Sequence, residues 1–142
     1  MTRSIRSIFL VIFASLGLLF AGTSTAFAAN PHEVPNNPIV CTSNGTTVTC
    51  SGSVAGLGNE AVIAVVDVDF ACQTRPASNN PPGHIQGKSG PIQPRNGRIN
   101  FSVTTGPATC PPGLNPVIGE FATVSIFDLQ GNLLFQTTVR IT

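Results

Sequence analysis

Alternation of apolar and polar positions predicts strands along most of the chain, and the clearest case is the stretch Glu60–Cys72. Every second residue from Val62 to Cys72 is apolar or cysteine, which predicts one face buried in a core. The opposite face begins apolar and then changes to Asp67 and Asp69, so it is expected to emerge into water towards Cys72. The stretch is predicted to be a central strand that leads out of the core.

Six further strands are predicted around this one. The clearest alternation lies in Arg98–Thr105, whereas Val117–Leu129 mixes apolar and polar residues on both faces and is predicted to be a central strand. Turn residues separate the segments. The region of Ile92 is predicted to be an edge strand, because Pro91 and Pro94 cannot donate hydrogen bonds to a neighbouring strand. The remaining strands are Ile39–Thr42, Val48–Ala55 and a last strand in which Leu133, Phe135, Thr137, Val139 and Ile141 face one way. With hairpins from first to second, fourth to fifth and sixth to seventh strand, the pattern predicts an immunoglobulin-like two-sheet Greek-key sandwich.

Two proline- and glycine-rich segments interrupt the strands. The longer, residues 73–90, is predicted to be an irregular loop, and residues 106–116 form a second connection. Long loops in a small domain are usually either functional or disordered.

The first 28 residues have the pattern of a secretory signal peptide. Arg3 and Arg6 precede an apolar run from Ile8 to Ala21, and Ala26-Phe27-Ala28 offers a cleavage site. Residues 29–38 are predicted to be an extended tail and 39–142 a single domain. The apolar run is too short to span a bilayer, and no later segment is long enough. The expected location is therefore secreted or extracellular, with no membrane span after removal of the signal.

All four cysteines lie in the exported part, so two disulfides are expected. If residues 44–47 form a hairpin loop, Cys41 faces Cys50. In a Greek key the loop that carries Cys110 crosses the end of the sandwich at which Cys72 lies. Of the three possible pairings, only Cys41–Cys50 with Cys72–Cys110 satisfies both conditions.

Four segments support this fold by resemblance: Val48–Asn59, Asp69–Cys72, Asn96–Thr105 and Cys110–Gly113. Together they resemble small bacterial secreted proteins that have a signal peptide and a disulfide-bonded β-sandwich, a group with no assigned function. The resemblance covers the chain from about Cys41 onwards. It implies the fold and no activity.

The charges are unevenly distributed. Two of the seven basic residues lie in the signal peptide, so five basic residues face six acidic ones in the mature chain. This balance does not favour nucleic acid as a partner. Four of the five basic residues fall between positions 73 and 98, a stretch with no acid. The candidate binding residues are Arg75, His84, Lys88, Arg95 and Arg98, presented at the end held by Cys72 and Cys110 to an acidic extracellular or envelope component.

Catalysis is not expected. The chain has two histidines and none of the nucleophile, zinc-hydrolase or phosphate-loop motifs, and it is expected to carry no cofactor and no metal. Asp67 and Asp69 share a strand face as paired carboxylates would, yet there is no Trp or Tyr to line a hydrolase cleft. The turn at Asp128 lacks the later ligands of a calcium loop.

Two alternative functions remain. A protease inhibitor would present Lys88-Ser89 as a rigid scissile bond, and a structural secreted protein would have no specific ligand. Sugar binding by stacking is not favoured, because the five mature phenylalanines, Phe70, Phe101, Phe121, Phe127 and Phe135, are all expected to lie in the core.

Overall fold

The structure, a computed structural model, describes residues 30–74 and 82–142. The signal peptide predicted at 1–28 and the candidate residue Arg75 lie outside the described residues. Within the described ranges the chain is all-β, with two sheets, no helix and two disulfides.

The first sheet is built around β3 (Val48–Ala55). β2 (Val40–Ser43) and the two-residue β1 (His32–Glu33) share one edge of β3, and β6 (Ile99–Thr104) pairs with the other. β2 and β3 pair in the predicted register, because Ser43, Thr42 and Cys41 lie opposite Val48, Thr49 and Cys50 in turn.

The second sheet has the order β5–β4–β7–β8. Its strands are β4 (Val62–Gln73), β5 (Pro82–Lys88), β7 (Asn115–Asp128) and β8 (Leu133–Arg140), and all neighbours are antiparallel. The even-numbered residues of β4 point into the core as predicted, and Val62, Ala64, Val66 and Val68 are almost completely buried. On the other face Val65 is buried whereas Asp69 is exposed, so this face does emerge towards Cys72.

The expectation that residues 73–90 form one irregular loop is wrong, because residues 82–88 form the strand β5. Its glycines fit close approaches that a Cβ would block. A Cβ on Gly83 would lie 2.2 Å from the Phe70 ring, and one on Gly87 would lie 2.4 Å from the Thr104 carbonyl oxygen. Glycine in a strand often marks such an approach, so here it indicates packing and not a loop.

The predicted edge strand around Ile92 is reduced to a single bridge. The backbone amide and carbonyl groups of Ile92 and Val62 exchange hydrogen bonds of 2.8 and 2.9 Å, and the residues beside Ile92 form no strand. The predicted Asn96-Gly97 turn does form, because Arg95 and Arg98 are bridged across it.

The prediction that Leu133 shares one face with Phe135, Val139 and Ile141 is wrong, because those three residues pack against the core and Leu133 does not. The β7–β8 register shifts between Ile126 and Phe127, and a one-residue shift moves a side chain to the other face. Leu134 therefore packs against the core, whereas Leu133 is exposed.

The segment predicted as an extended tail packs against the domain. His32 and Glu33 pair with Ala55 and Val54, and Val34 is buried. The Glu33 carboxylate also accepts a hydrogen bond from the backbone amide of Ile39.

Hydrogen bonds between the two sheets close both sides of the sandwich. On one side, Thr142 donates to the Cys41 carbonyl (2.9 Å) and Ser43 donates to the Thr142 carbonyl (3.1 Å). On the other side, Gly106 donates to the Gln86 carbonyl (3.1 Å). The edges of the two sheets are thereby joined without a continuous barrel.

We expect Gly87→Ala to destabilise the domain, because its Cβ would meet the backbone of Thr104 where β5 and β6 approach each other. Overpacking of this kind typically costs about 1–3 kcal/mol. Gly90→Ala is the matched control, because nothing lies within 4 Å of a Cβ at that exposed position. Thermal unfolding of both variants tests the contact, and equal melting temperatures would contradict it.

The two disulfides, Cys41–Cys50 and Cys72–Cys110, close loops with sequence separations of 9 and 38 residues. On the chain-entropy account they restrict the unfolded chain by about 3 and about 4 kcal/mol respectively. We therefore expect replacement of Cys72 and Cys110 by alanine to lower the free energy of unfolding more than replacement of Cys41 and Cys50. Denaturant unfolding of the two double variants measures this difference, and the reverse order would contradict it.

Candidate functional site

The structure separates the candidate binding residues along the sandwich. β5 starts at Pro82, opposite Ala71, and runs back to Lys88, opposite Val65. The chain then continues to Ile92, which bridges Val62 at the other end of β4. Ten residues of strand correspond to about 33 Å, so the turn that carries Arg95 and Arg98 lies far from the Cys72–Cys110 disulfide.

The β2–β3 and β6–β7 connections at the end held by Cys72 and Cys110 carry no charge in their described parts, and the charged residues nearest to Cys72 on β4 and β5, Asp69 and His84, pair with each other. The Cα atoms of the two cysteines are 5.7 Å apart. The amide of Ala108 donates to the Thr46 carbonyl at 2.8 Å, which ties the β6–β7 connection to the β2–β3 turn. Residues 43–48 and 105–116 contain no charged side chain. The described residues therefore do not form the predicted positive surface here, and Arg75 lies outside them.

His84 joins the two acidic residues of the central strand. Its Nε2 lies 3.0 Å from Asp67 Oδ1, and its Nδ1 lies 3.2 Å from Asp69 Oδ1. Gln86 Nε2 donates a third hydrogen bond, also to Asp67 Oδ1, at 2.7 Å. Cross-strand pairing sets this arrangement, because β5 places His84 opposite Asp69 and Gln86 opposite Asp67.

The two carboxylates favour the protonated imidazole. Hydrogen bonding to Asp69 first, and then to Asp67, holds the pKa of His84 above its ordinary value. A protonated ring donates from both nitrogens, so neither nitrogen is left to act as a base on a substrate. The cluster thus cross-links β4 and β5 at the surface.

The turn at Asp128 uses its carboxylate internally. Oδ1 accepts hydrogen bonds from the amides of Gln130 (3.0 Å) and Asn132 (2.8 Å), and Oδ2 accepts from Asn132 Nδ2 (2.8 Å). The Asn132 side chain, more than any other group, lowers the pKa of Asp128. Within the described residues no group of three His, Cys, Asp or Glu side chains has the arrangement of a metal site.

Arg95 and Arg98 flank a tight turn. Asn96 and Gly97 have φ values of 52° and 71°, as a two-residue type I′ turn requires. Backbone hydrogen bonds of 2.9 and 3.0 Å join the two arginines, and Leu57 donates to the Gly97 carbonyl at 2.9 Å. Both side chains are exposed, and among the described residues no carboxylate lies within ion-pair distance of either. With Ile92, Gln93, Ile99 and Asn100 they line a cavity of about 240 Å³.

A larger groove of about 350 Å³ lies on the outer face of the second sheet. Its apolar side chains include Ile63 and Phe127, which are opposite each other on β4 and β7. Val65 lies within the groove and is only 5% exposed although it faces outward. Polar groups complete the lining, and the full set is Ile63, Val65, Asp67, Gln86, Lys88, Phe127, Asp128, Leu129 and Gly131.

The expectation that every mature phenylalanine lies in the core is wrong for two of them. Phe121 is 53% exposed, and Phe127 is half-buried on the outer face. The sequence does indicate this placement, because both phenylalanines are odd-numbered like Thr123 and Ser125, whereas Val124 and Ile126 are even-numbered and lie on the opposite face. Apolar residues on both faces of this strand made the placement hard to predict.

Comparison of the chain with protein-family models, with curated proteins and with solved structures gives no match. In the described residues, no helix has the length and apolar character needed to cross a membrane. The two disulfides indicate an oxidising environment.

We expect Asp69→Asn to lower the pKa of His84 towards its ordinary value, because the largest cause of the increase is the hydrogen bond to Asp69. With a raised folded-state pKa, the cluster stabilises the fold below pH 6.5 and loses this effect as pH rises through the folded-state value. An NMR titration of the His84 ring in the variant and in the unchanged protein measures the change. An unchanged His84 titration would contradict the assignment.

Proposed function

We propose that this protein is a secreted, non-catalytic binding module that engages an acidic extracellular or envelope partner through the turn formed by Arg95–Arg98. The scaffold is an immunoglobulin-like Greek-key sandwich. The strand order β2–β3–β6 in one sheet and β5–β4–β7–β8 in the other supports this topology. The partner is the acidic one expected from the sequence, but its site lies at the end of the domain opposite the Cys72–Cys110 disulfide.

The observation that carries the proposal is that Arg95 and Arg98 lie opposite each other across the turn, line the same cavity and have no carboxylate partner among the described residues. Like charges directly opposite each other across a turn destabilise it. His84 differs, because it already pairs with two carboxylates. An oxyanion bound between Arg95 and Arg98 would relieve their repulsion.

The chemistry of arginine suits such a ligand. Each guanidinium presents several N–H donors in a plane that matches a carboxylate, phosphate or sulfate group. The turn is held in place by the amide of Leu57 and by the bridge between Ile92 and Val62. A rigid turn orders fewer groups on binding, which favours affinity.

The arrangement of His84 supports the absence of catalysis, since both of its ring nitrogens face carboxylates. The cysteines are disulfide-bonded and provide no thiol nucleophile. The surface histidine is therefore best explained as a structural group.

The inhibitor alternative receives less support from the geometry. Lys88 ends β5, and the next residue, Ser89, donates its amide to the Ala64 carbonyl at 2.9 Å. The Ser89 hydroxyl also accepts a hydrogen bond from the amide of Ala64 at 2.9 Å. A scissile bond presented to a protease would need to project from the surface, whereas this one is bound to the sheet. A structural role with no specific ligand remains as the second alternative.

We expect the double variant Arg95→Ala/Arg98→Ala to bind polyanions about tenfold or more weakly than the unchanged protein, because two charge-assisted contacts are lost. Heparin, polyphosphate and polyglutamate serve as sulfate, phosphate and carboxylate probes at fixed ionic strength. Isothermal titration calorimetry gives the dissociation constants.

The matched control is Arg140→Ala, compared with the single variants Arg95→Ala and Arg98→Ala, because each removes one positive charge from an exposed position. A loss limited to the variants of Arg95 and Arg98 supports the proposal. Equal losses in all three single variants would mean general electrostatic attraction. No binding by the unchanged protein would favour the structural role.

A further inference from the structure

The groove on the second sheet combines an apolar surface with hydrogen-bonding groups. Ile63, Val65, Phe127 and Leu129 supply the apolar surface, and Phe127 is the one aromatic side chain in the lining. Gln86 and Lys88 enter from β5, Asp67 from β4 and Asp128 from the end of β7. A ligand that fits this groove needs an apolar face and polar groups at its edge.

The charges of the lining largely compensate each other. Lys88 lines the groove together with two carboxylates, and one of these, Asp67, already accepts hydrogen bonds from His84 and Gln86. The other, Asp128, is engaged by the backbone and side chain of its own turn. Neither a cation nor an anion is therefore strongly favoured as the ligand.

The remaining hydrogen-bonding capacity includes both donors and acceptors. Gln86 uses its amide nitrogen on Asp67, which leaves its carbonyl oxygen as an acceptor. The ammonium group of Lys88 has three donors, and among the described residues it forms no ion pair. Hydroxyl groups both donate and accept, so they can match this mixture.

We propose that this groove binds a neutral sugar unit of an extracellular glycan, with Phe127 under the apolar face of the sugar ring. The ring hydroxyls point towards Asp67, Gln86 and Lys88. The volume of about 350 Å³ is near the lower end of the range for small-molecule sites, and the groove is open to solvent, which suits a short segment of a longer chain. This site is separate from the Arg95–Arg98 turn, because its lining contains neither arginine.

Phe127 lines the groove from a strand that is paired on both sides. It is paired with Ile63 on one side and Leu133 on the other, so the ring stands on a hydrogen-bonded central strand of the sheet. The chain has no Trp and no Tyr, so phenylalanine is its only aromatic residue apart from histidine. Phe121 lies on the same strand and is more exposed than Phe127, but it does not line the groove.

The test is an NMR titration of the isotopically labelled protein with cellotetraose, chitotetraose, maltotetraose and mannotetraose. Butylammonium and butyrate are added separately as small cationic and anionic probes. We expect at least one neutral oligosaccharide to produce saturable shifts at Ile63, Val65, Gln86 and Phe127. Shifts produced by only the charged probes, or by none of the oligosaccharides, would overturn the proposal.

Variants of Phe127 test the stacking contact. We expect Phe127→Ala to weaken binding about tenfold, as loss of an aromatic contact does, and Phe127→Trp to strengthen it. Phe121→Ala is the control and should leave the dissociation constant unchanged. If Phe127→Ala does not fold, the tryptophan variant and Lys88→Met still decide the question. Equal affinity in the Phe127→Trp, Lys88→Met and unchanged proteins would exclude this groove as the sugar site.

Discussion

The fold depends on the pairing of β4 along both of its edges. β7 pairs with it from Val62 to Gln73, and β5 pairs with it from Val65 to Ala71. A strand in this position presents one face to the core, and its alternate residues from Val62 to Cys72 are buried there. The same pairing fixes which residues of β4, β5 and β7 are neighbours on the outer face. The positions of Asp67, Asp69 and the groove therefore follow from it.

Hydrogen bonds and one disulfide join the two sheets at their edges and at one end. Gly87 lets β5 approach β6, and Gly106 completes that side with a hydrogen bond to Gln86. The C-terminal Thr142 joins β2 on the opposite side. The Cys72–Cys110 disulfide adds a covalent link between the end of β4 and the β6–β7 connection. Both candidate binding surfaces are consequently presented by a scaffold that needs little ordering.

These two surfaces have different physical characters. The turn at Arg95 and Arg98 concentrates positive charge without a described counter-charge, whereas the groove contains opposite charges beside an apolar surface. The arginine turn is expected to attract a negatively charged ligand over a long range. The groove is expected to select its ligand at short range, by shape and hydrogen bonding.

The sequence by itself determined the features that depend on local register. The hairpin spacing placed Cys41 opposite Cys50, and strand parity identified the buried face from Val62 to Cys72. The tertiary structure decided where β5 runs, because Gly83 and Gly87 are strand residues only in the presence of Phe70 and Thr104. It also decided which face Leu133 and Leu134 occupy, through the register shift beside Phe127. Period-2 alternation is a property of one strand, whereas close backbone approach and a register shift require a second strand, so no pattern along the chain specifies them.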